Sequence, residues 1–304
     1  MADLAKDIFS EYQKYKDSIY QVRRKIHQNP EVSWAEFDTT KLICSVLEKN
    51  KIPYKKFKPT GLMVDIKASG NNKTKAQEKI IALRADLDAL AISEPKNRQF
   101  VSKKQGFMHA CGHDFHCGAL LGAVLIVNSL KSHLKQNIRF IFQPSEEAEP
   151  SGAKAIIKQG ALVGVEQLYA LHCDPALEVG TLGVRSGSIT SAASHVSVEV
   201  KGKGGHTSRP HLTNDIVYAL SSLVIESAGV LSRRLDPRTV SSLIWGTISA
   251  GEAPNSVAQY GKLEGSFRTM DYNIWKNAKN FLQQMIHEIL DSYKFDLKIN
   301  VAKG

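Results

Sequence analysis

The amino-acid sequence has little of what marks a secreted or membrane-bound chain. Its 304 residues include only 4 cysteines, and without a secretory context these are expected to be free thiols or metal ligands rather than a disulfide framework. The first stretch, MADLAKDIFSEYQKYKDSIY, lacks an apolar signal core, and the apolar run Gly118–Val127 is too short to span a bilayer. We therefore expect a cytoplasmic protein without a membrane partner, in which Gly118–Val127 belongs to a buried helix.

Negative charge is also scarce, because 40 lysines and arginines outnumber 30 aspartates and glutamates and give a net charge of +10. A basic balance of this size is compatible with a nucleic-acid or anionic-lipid partner. However, the lysines are spread over helix faces and loops, and no aromatic-basic platform accompanies them. The glycine-rich KGKGGHTS lacks the spacing of a phosphate-binding loop. The sequence therefore predicts no nucleic-acid partner.

The first part of the sequence alternates between helical and strand patterns. Apolar residues at steps of three and four from Leu4 to Ile26 predict a first helix that Asn29-Pro30 ends, and residues 39–49 predict a second. Apolar runs at 79–85, 137–143 and 166–171 predict strands, and the stretches 114–130 and 151–159 between them are helical. This alternation is typical of an α/β fold with a doubly wound, mostly parallel sheet.

The pattern changes from about residue 185. Strand patterns at 193–202, 238–249, 258–270 and 295–302 and helical patterns at 213–231 and 273–293 give the order β-α-β-β-α-β. That order is typical of a ferredoxin-like α+β arrangement, an antiparallel sheet with two helices on one face. Since 42% of the residues are hydrophobic, the chain can build two cores, and we predict two domains, 1–184 and 185–304.

A dense group of metal-binding side chains lies in the stretch MHACGHDFHCG, residues 108–118. Within it, Cys111 and His113 are two residues apart in a glycine-containing loop, a spacing that neither a shared helix face nor core packing explains. Open α/β sheets bind ligands at the carboxyl ends of their strands. Thiolate, imidazole and carboxylate groups together predict a transition-metal site there. Five further polar residues follow predicted strands: Asp86, Asp88, Glu146, Glu147 and His172.

Each of the strand-end residues has a simpler explanation when it is taken alone. His172 would then be a hydrogen-bonded residue at a strand end, and the pair Glu146–Glu147 would be a solvated loop. Asp86 and Asp88 would cap the following helix. The three segments together make coincidence a poor explanation, so the metal site is preferred.

A cysteine hydrolase is a further alternative, with Cys111 as the nucleophile and His113 as its base. Residues two apart in a tight loop rarely align for that chemistry, and the glutamate pair would have no role in it. Chelator sensitivity separates the two classes of enzyme. The other cysteines are interpreted as small packing residues, and two histidines stay undecided: Cys44, Cys117 and Cys173, and His109 and His116.

Several motifs resemble those of a known family. The chain carries, in order between about residues 22 and 270, RRKIHQNPEVSWAE, LRADLDAL, MHACGHD, FQPSEEAEPSGAKAII, ALHCDP and VKGKGGHTSRPH. These resemble the metallopeptidase-like amidohydrolases that include aminoacylases, hippurate hydrolases and plant auxin-conjugate hydrolases. The resemblance implies a zinc-peptidase-like catalytic domain, 1–184, and a lid and dimerisation domain, 185–304. It also implies hydrolysis of the amide bond of small-molecule N-acyl amino acids by a homodimeric enzyme.

The resemblance further implies two divalent metal ions, and the donor types favour zinc, nickel or cobalt while also tolerating manganese. Glu146 matches the general base that activates a metal-bridged water. Asp86 and Asp88 would orient the site from behind the ligands. Four residues match the family's metal ligands: Cys111, His113, Glu147 and His172.

Three residues of the second domain also match family positions. His206 matches a catalytic lid histidine that reaches the active site, in some relatives from the partner subunit. Asn255 and Arg268 resemble substrate-binding positions that hold the carboxylate or the oxyanion. Arginine suits that role because its planar guanidinium binds a carboxylate through two hydrogen bonds.

The sequence departs from the family pattern in two places. Ala91 stands where a proline is usual, which should affect only a local turn. The last residues, FDLKINVAKG, complete the lid, whereas relatives return to the catalytic domain and supply a final histidine ligand. We therefore expect a metal site short of one ligand and little or no amidase activity, or a protein that binds acyl amino acids without turnover.

Overall fold

The computed structural model describes residues 2–68 and 79–303. The chain divides into two compact units, Met1–Val179 and Gly180–Gly304. The sequence placed its domain boundary between residues 184 and 185, five residues further along the chain.

The first unit is built on a five-stranded sheet with the order β1-β2-β4-β3-β5. β3 pairs in parallel with both β4 and β5, whereas β2 pairs antiparallel with β4 and with β1. The helices and strands are α1 (Ala2–Gln28), α2 (Phe37–Lys49), β1 (Lys55–Lys56), β2 (Leu62–Ile66), β3 (Ile80–Asp86), α3 (His113–Ser129), β4 (Asn137–Gln143), α4 (Gly152–Lys158) and β5 (Val165–Ala170).

The predicted α/β fold is confirmed, but the sheet is mixed rather than mostly parallel. The sequence interpretation missed β1 and β2. β2 has only five residues, and Asp65 interrupts its apolar run. Asp65 is accommodated because the strand pairs with β4, where Arg139 donates to its carboxylate at 2.7 and 2.9 Å. A charged residue in a short run hides a strand from a pattern based on apolar residues alone.

Side chains of the first sheet alternate between two apolar layers, as the pleat of a strand requires. Val64 and Phe140 lie in the larger core, which α1, α2 and α3 cover. Met63 and Ile141 lie on the opposite face and pack with Ile156 of α4. Burial of both faces is typical of a doubly wound sheet. The edge strand β5 differs, because its residues after Val165 are exposed.

The register of the three parallel strands brings their carboxyl ends together. Asp86 at the end of β3 is opposite Gln143 at the end of β4. On the other side of β3, Arg84 is opposite Ala170, the last residue of β5. The chain therefore leaves the sheet at three neighbouring points, and each is followed by residues that the sequence singled out.

The second unit has the predicted β-α-β-β-α-β order and a four-stranded antiparallel sheet, β11-β6-β10-β8. α5 and α6 pack on the sheet and share its core. A separate two-stranded antiparallel sheet is formed by β7, which follows β6 in the chain, and β9, which follows β8. The elements are β6 (Ala192–Lys201), β7 (Gly205–His206), α5 (Ile216–Arg234), β8 (Ser241–Ala250), β9 (Ser256–Val257), β10 (Tyr260–Thr269), α6 (Tyr272–Leu290) and β11 (Asp296–Lys303).

Within the described ranges, α5 is the one helix long and apolar enough to cross a membrane by length and composition. Its amino terminus is capped by Asp215, whose carboxylate accepts the backbone N–H of Tyr218 at 3.0 Å. Leu220 and Leu223 of the same helix are buried in the core of the second unit. Core helices of globular units pass the same length and composition test.

Candidate metal centre

The loop before α3 places the predicted Cys111 and His113 at the carboxyl ends of the strands. Gly112 between them has a left-handed backbone conformation, φ 80°, which glycine adopts without strain. A Cβ atom added to Gly112 would lie 3.0 Å from the Sγ of Cys173. The glycine therefore allows the loop to turn into α3 and also to approach the segment that follows β5.

A hydrogen bond determines which nitrogen of His113 is free to bind a metal. Its Nδ1 lies 2.8 Å from the backbone oxygen of Asp88, and a carbonyl oxygen can only accept, so Nδ1 carries the proton. The lone pair is therefore on Nε2, which lies 3.6 Å from Asp86 Oδ2 and 3.8 Å from Glu147 Oε1. His113 is only 1% exposed.

His172, which follows β5, has the same arrangement on the exposed side of the loop. Its Nδ1 donates to the backbone oxygen of Cys173 at 2.7 Å, so its Nε2 is also left with a lone pair. Ligand atoms of Cys111, His113 and His172 all lie within 4.8 Å of one another. The structure thus brings together three of the four residues matched to metal ligands, from two separate segments of the chain.

The fourth matched residue, Glu147, belongs to the carboxylate loop, which we define as residues 144–151. The backbone N–H groups of Glu146 and Glu147 donate to the carboxylate of Asp88 at distances of 2.9 to 3.1 Å. Ser33 Oγ donates to the same carboxylate at 2.6 Å. Burial would raise the pKa of Asp88, but these hydrogen bonds and His113 outweigh it and hold the pKa well below its usual range.

Two of the buried polar atoms without a hydrogen-bond partner in the described chain belong to residues matched to metal ligands, and the others lie on Asp86, His109, His116 and Ser194. Among the described residues, His113 Nε2 and Glu147 Oε1 are buried and have no hydrogen-bond partner, and such atoms are costly unless something binds them. His113, Glu146 and Glu147 form another group within 4.8 Å. Burial and the neighbouring Glu147 raise the pKa of the Cys111 thiol to about 12. A cation would offset both effects, so the donor set fits a divalent transition metal.

Asp86 and His116 form a third group with His113, and all three are buried. His116 Nε2 accepts the backbone N–H of Cys173 at 3.0 Å, so in the neutral ring the proton lies on Nδ1, which faces Asp86 Oδ2 at 3.8 Å. A protonated nitrogen does not bind a metal. Arg84 forms an ion pair with the other oxygen of Asp86. His116 therefore connects Asp86 to the loop of His172 and is not placed as a ligand.

Glu146 differs from Glu147 in its surroundings. Its side chain is exposed, whereas that of Glu147 is half-buried. Although the side chain as a whole is exposed, desolvation of its carboxyl group raises the pKa of Glu146 above its ordinary value, and the charges of Asp86 and Glu147 raise it further. A carboxylate with a raised pKa at the open side of a metal group is suited to carry a proton.

A second polar network lies behind the start of α3 and was missed in the sequence. Asp114 accepts Arg23 Nε at 3.0 Å and His27 Nδ1 at 3.1 Å, and His27 Nε2 lies 2.9 Å from Glu94 Oε1. Both ring nitrogens of His27 thus face carboxylates, which favours the imidazolium ion. The bond to Asp114 raises the pKa of His27 against the opposing effect of burial. The signal for this network in the sequence was His27, which directly follows Ile26 at the end of the apolar face of the first predicted helix.

His109 and the three remaining cysteines of the chain are not in the three metal groups found among the described residues. His109 is 5% exposed, and burial lowers its pKa to about 4. Cys44 and Cys117 are buried, as their interpretation as packing residues requires. Cys173 is exposed, so it is not a core residue, and its sulfur instead lies next to Gly112 of the metal loop.

The three residues matched to the lid lie in the second unit. His206 in β7 is opposite Ser256 in β9, next to Asn255, and the backbone oxygen of Asn255 accepts the N–H of Thr207 at 3.2 Å. His206 Nδ1 accepts the N–H of Ser208 at 3.2 Å, which leaves Nε2–H as a donor in the neutral ring. Arg268 is an exposed residue of β10. The small sheet thus holds His206 and Asn255 side by side.

The chain matches known proteins along most of its length. The model of peptidase family M20/M25/M40 matches residues 82–272. An N-acetyldiaminopimelate deacetylase from Bacillus licheniformis is 36% identical over 93% of this chain and 75% of its own length. A Rhodococcus jostii protein named as a glutamate–cysteine ligase is 39% identical over 93% of this chain. This chain covers only 35% of that protein, so the name need not describe the matched part.

The fold agrees with the sequence match. A dinuclear metal-binding peptidase of the M20 family from Bacillus subtilis superposes with a TM-score of 0.79 at 28% identity, over 96% of this chain and 74% of that one. The chain therefore belongs to peptidase family M20/M25/M40 and is a metal-dependent amidohydrolase. The class inferred from the motifs is confirmed.

The charged contacts of His27 predict a pH-dependent stability. Below about pH 6.5, the ordinary pKa of histidine, His27 is protonated in both states, and its ion pairs with Asp114 and Glu94 stabilise the folded chain. As the pH rises through the raised folded pKa, the ring loses its proton and this stabilisation is lost. We expect the free energy of unfolding to fall across this range, and to fall less in His27→Gln. Denaturant titrations from pH 6 to 9 measure the free energy of unfolding, with the exposed His133→Gln as the control. The prediction is contradicted if this free energy changes equally with pH in the unmodified chain and in both variants.

Removal of the Cys111 sulfur should weaken metal binding. We expect Cys111→Ala to lower the affinity for zinc at least about tenfold, the lower limit seen when even an outer partner of a metal site is removed. Cys44→Ala is the matched control, because Cys44 is a buried thiol in the apolar core. Elemental analysis and chelator competition measure the effect. Unchanged zinc content and affinity in Cys111→Ala would remove this residue from the metal group.

Proposed function

We propose that the chain hydrolyses the amide bond of N-acyl amino acids at a site formed by the metal group of the first unit. The observation that supports this most is that the sulfur of Cys111 and a ring nitrogen each of His113 and His172 lie close together. Two glutamates lie beside this group. Glu146 and Glu147 differ in exposure, which fits a division between a proton carrier and a ligand.

The ligands in this proposal are Cys111, His113, Glu147 and His172. Bound divalent ions would polarise the substrate carbonyl and lower the pKa of water. The fold determines the tautomer of both histidines through backbone carbonyl oxygens. Zinc, manganese, nickel and cobalt all suit mixed sulfur, nitrogen and oxygen donors.

Glu146 moves the protons in the proposed reaction. It accepts a proton from the attacking water and returns it to the nitrogen of the leaving amine, which requires a carboxylate that is not itself a ligand. Its backbone is held by Asp88 while its side chain remains exposed. The groups that raise its pKa make its carboxylate a stronger base for the first transfer and increase the population of the protonated form that the second transfer needs.

The substrate assignment is supported by a relative rather than by a bound molecule. The Bacillus licheniformis relative is named for removal of an acetyl group from an N-acetylated amino acid, so N-acetyl amino acids are the first substrates to test. In the proposal, Arg268 and Asn255 bind the substrate carboxylate or oxyanion, and His206 donates from Nε2–H to the developing negative charge. The chain spans about three quarters of that relative, and the activity of the whole protein is part of this proposal.

Two other functions remain as outcomes of the same test. A cysteine hydrolase would need an ionised Cys111, whereas burial and Glu147 raise the pKa of its thiol to about 12. A protein that binds acyl amino acids without turnover would retain the metal group and the substrate contacts. Chelation followed by zinc or manganese addition separates these cases, since a thiol enzyme keeps its activity under chelation.

Glu146→Gln should abolish hydrolysis while metal and fold are retained. The substitution preserves size and removes only the proton carrier, so kcat should fall at least about a hundredfold, the lower range for loss of general base catalysis. Zinc content, the thermal unfolding curve and turnover of N-acetyl amino acids are measured together. The control is Glu149→Gln, an exposed carboxylate of the same loop. Turnover by Glu146→Gln near the rate of the unmodified chain would show that another group carries the proton.

We also propose that the chain is a cytoplasmic homodimer that pairs through its second unit. β8 is an edge strand of the four-stranded sheet, and edge strands need cover or a partner. Ile244 and Ile248 of β8 are 66% and 53% exposed. Light scattering at micromolar concentration should give twice the chain mass, and Ile248→Lys should shift it towards the monomer. A monomer in the unmodified chain would refute this proposal and exclude any contribution of His206 from a partner subunit.

A further inference from the structure

The turn of residues 33–36, between α1 and α2, contacts the carboxylate loop at both of its ends. Glu36 Oε1 accepts the backbone N–H of Ser145 at 2.8 Å. At the other end, the indole Nε1–H of Trp34 donates to the backbone oxygen of Pro150 at 3.0 Å. Ser33 Oγ donates to Asp88, which itself holds the N–H groups of the loop. No residue of this turn had been assigned a role from the sequence.

The carboxylate of Glu36 is buried and hydrogen-bonded through both of its oxygens. It is 0% exposed and accepts three hydrogen bonds, from the N–H of Trp34 at 3.0 Å, the N–H of Ser145 at 2.8 Å and the hydroxyl of Thr60 at 2.6 Å. A buried carboxylate that accepts three donors orients each of them, and none of them can be freed without leaving a polar group unpaired. One of the three lies directly before Glu146.

Two residues in these contacts have an unusual backbone conformation. Trp34 and Ser145 have φ values of 67° and 46°, in the left-handed region that bulky and ordinary residues rarely adopt. Such conformations persist where the surroundings determine them, and they concentrate at functional sites. Here the surroundings are Glu36 itself, since its Oε1 binds the N–H of both strained residues.

The carboxylate loop is closed on its other side by backbone contacts. Gly152 N–H donates to the backbone oxygen of Ser145 at 2.8 Å, and a Cβ atom on Gly152 would overlap the Pro144 oxygen at 1.8 Å. Ser145, near the start of the loop, is therefore bound by Glu36 on one side and by the residue that follows the loop on the other. A shift of Ser145 would move Glu146 and Glu147 directly, because they are the next two residues.

We infer that Glu36 is a positioning residue for the proposed hydrolase, which holds Ser145 so that Glu146 and Glu147 face the metal group. Glu36 does not itself bind substrate or metal. It acts through the N–H of Ser145, and Trp34 supports the far end of the same loop. The catalytic consequence rests on the proposed function, whereas the positioning of the loop does not.

A neighbouring glutamate provides a matched comparison. Glu31 is also buried, and its carboxylate accepts the backbone N–H groups of Asp38 and Thr39 at 3.1 and 2.8 Å. These contacts hold the start of α2 and do not include the carboxylate loop. Loss of either carboxylate should lower stability, but only loss of Glu36 should affect the loop.

The test compares Glu36→Ala, Glu36→Gln and Glu31→Ala at a temperature where thermal unfolding shows all of them folded. Hydrogen exchange of peptides that cover residues 144–152 is measured in the metal-free chain. Zinc affinity follows from chelator competition, and kcat and KM are measured with N-acetyl amino acids at saturating zinc. Glutamine retains an oxygen for Trp34 and Ser145, so it tests whether the hydrogen bond or the charge is needed.

We expect Glu36→Ala to exchange faster in the loop, to bind zinc at least about tenfold more weakly, and to lose kcat with little change in KM, as seen when partners behind metal ligands are removed. Glu36→Gln should stay within about threefold of the unmodified chain, well inside the tenfold loss typical of such partners. Glu31→Ala should lower the unfolding temperature without changing loop exchange or zinc affinity.

Unchanged exchange of the loop in Glu36→Ala would overturn the inference, as would faster exchange with unchanged zinc affinity. An unmodified chain that neither binds zinc nor hydrolyses substrate would overturn the proposed function, and the exchange experiment would still decide the role of Glu36. If Glu36→Ala does not fold, Trp34→Phe replaces it. That variant keeps an aromatic ring but loses the hydrogen bond to Pro150. Loop exchange should rise, and unchanged exchange in it would overturn the inference.

Discussion

The carboxylate of Asp88 is the contact on which the geometry of the metal centre depends. It accepts the backbone N–H groups of Glu146 and Glu147 and the hydroxyl of Ser33, while its own backbone oxygen accepts Nδ1–H of His113. One residue, two positions after the end of β3, therefore fixes the carboxylate loop and the tautomer of a histidine at the same time. A buried carboxylate requires several donors in any case, and here those donors are the elements that the site has to hold.

The course of the helices and strands could be predicted well from the sequence, because most elements have a clear apolar period. In the second unit the predicted β-α-β-β-α-β order is observed with small differences at the ends of elements. The exceptions are short strands. β1 escaped because it consists of two exposed lysines, and β2 because the exposed Asp65 breaks its apolar pattern. The pairing of Asp65 with Arg139 depends on a strand that is distant in sequence. Long-range pairing of this kind is not visible in a local window.

The site was predictable in composition but not in its finer organisation. Their positions at strand ends and in the motif predicted Cys111, His113 and His172 as site residues. The structure places their ligand atoms within 4.8 Å of one another. His116 belongs to the same motif, yet a single N–H from Cys173 decides the position of its proton. Glu36 is 109 residues from the backbone N–H that it binds in the carboxylate loop. Proton positions and contacts across such separations arise only in the folded chain.

The two histidines matched to ligands are held in different ways, and this has a consequence for exchange kinetics. His113 lies in α3, is 1% exposed and is anchored by Asp88, from the segment that follows β3. His172 is exposed, and its anchoring bond is to the oxygen of the very next residue, Cys173. Only the N–H of Cys173, bound by His116, ties this pair to the buried part of the site. An incoming ion would meet His172 first and reach His113 last, and a departing ion would reverse that order. In such a site one imidazole faces the solvent from which an ion is exchanged, while the other is shielded from water.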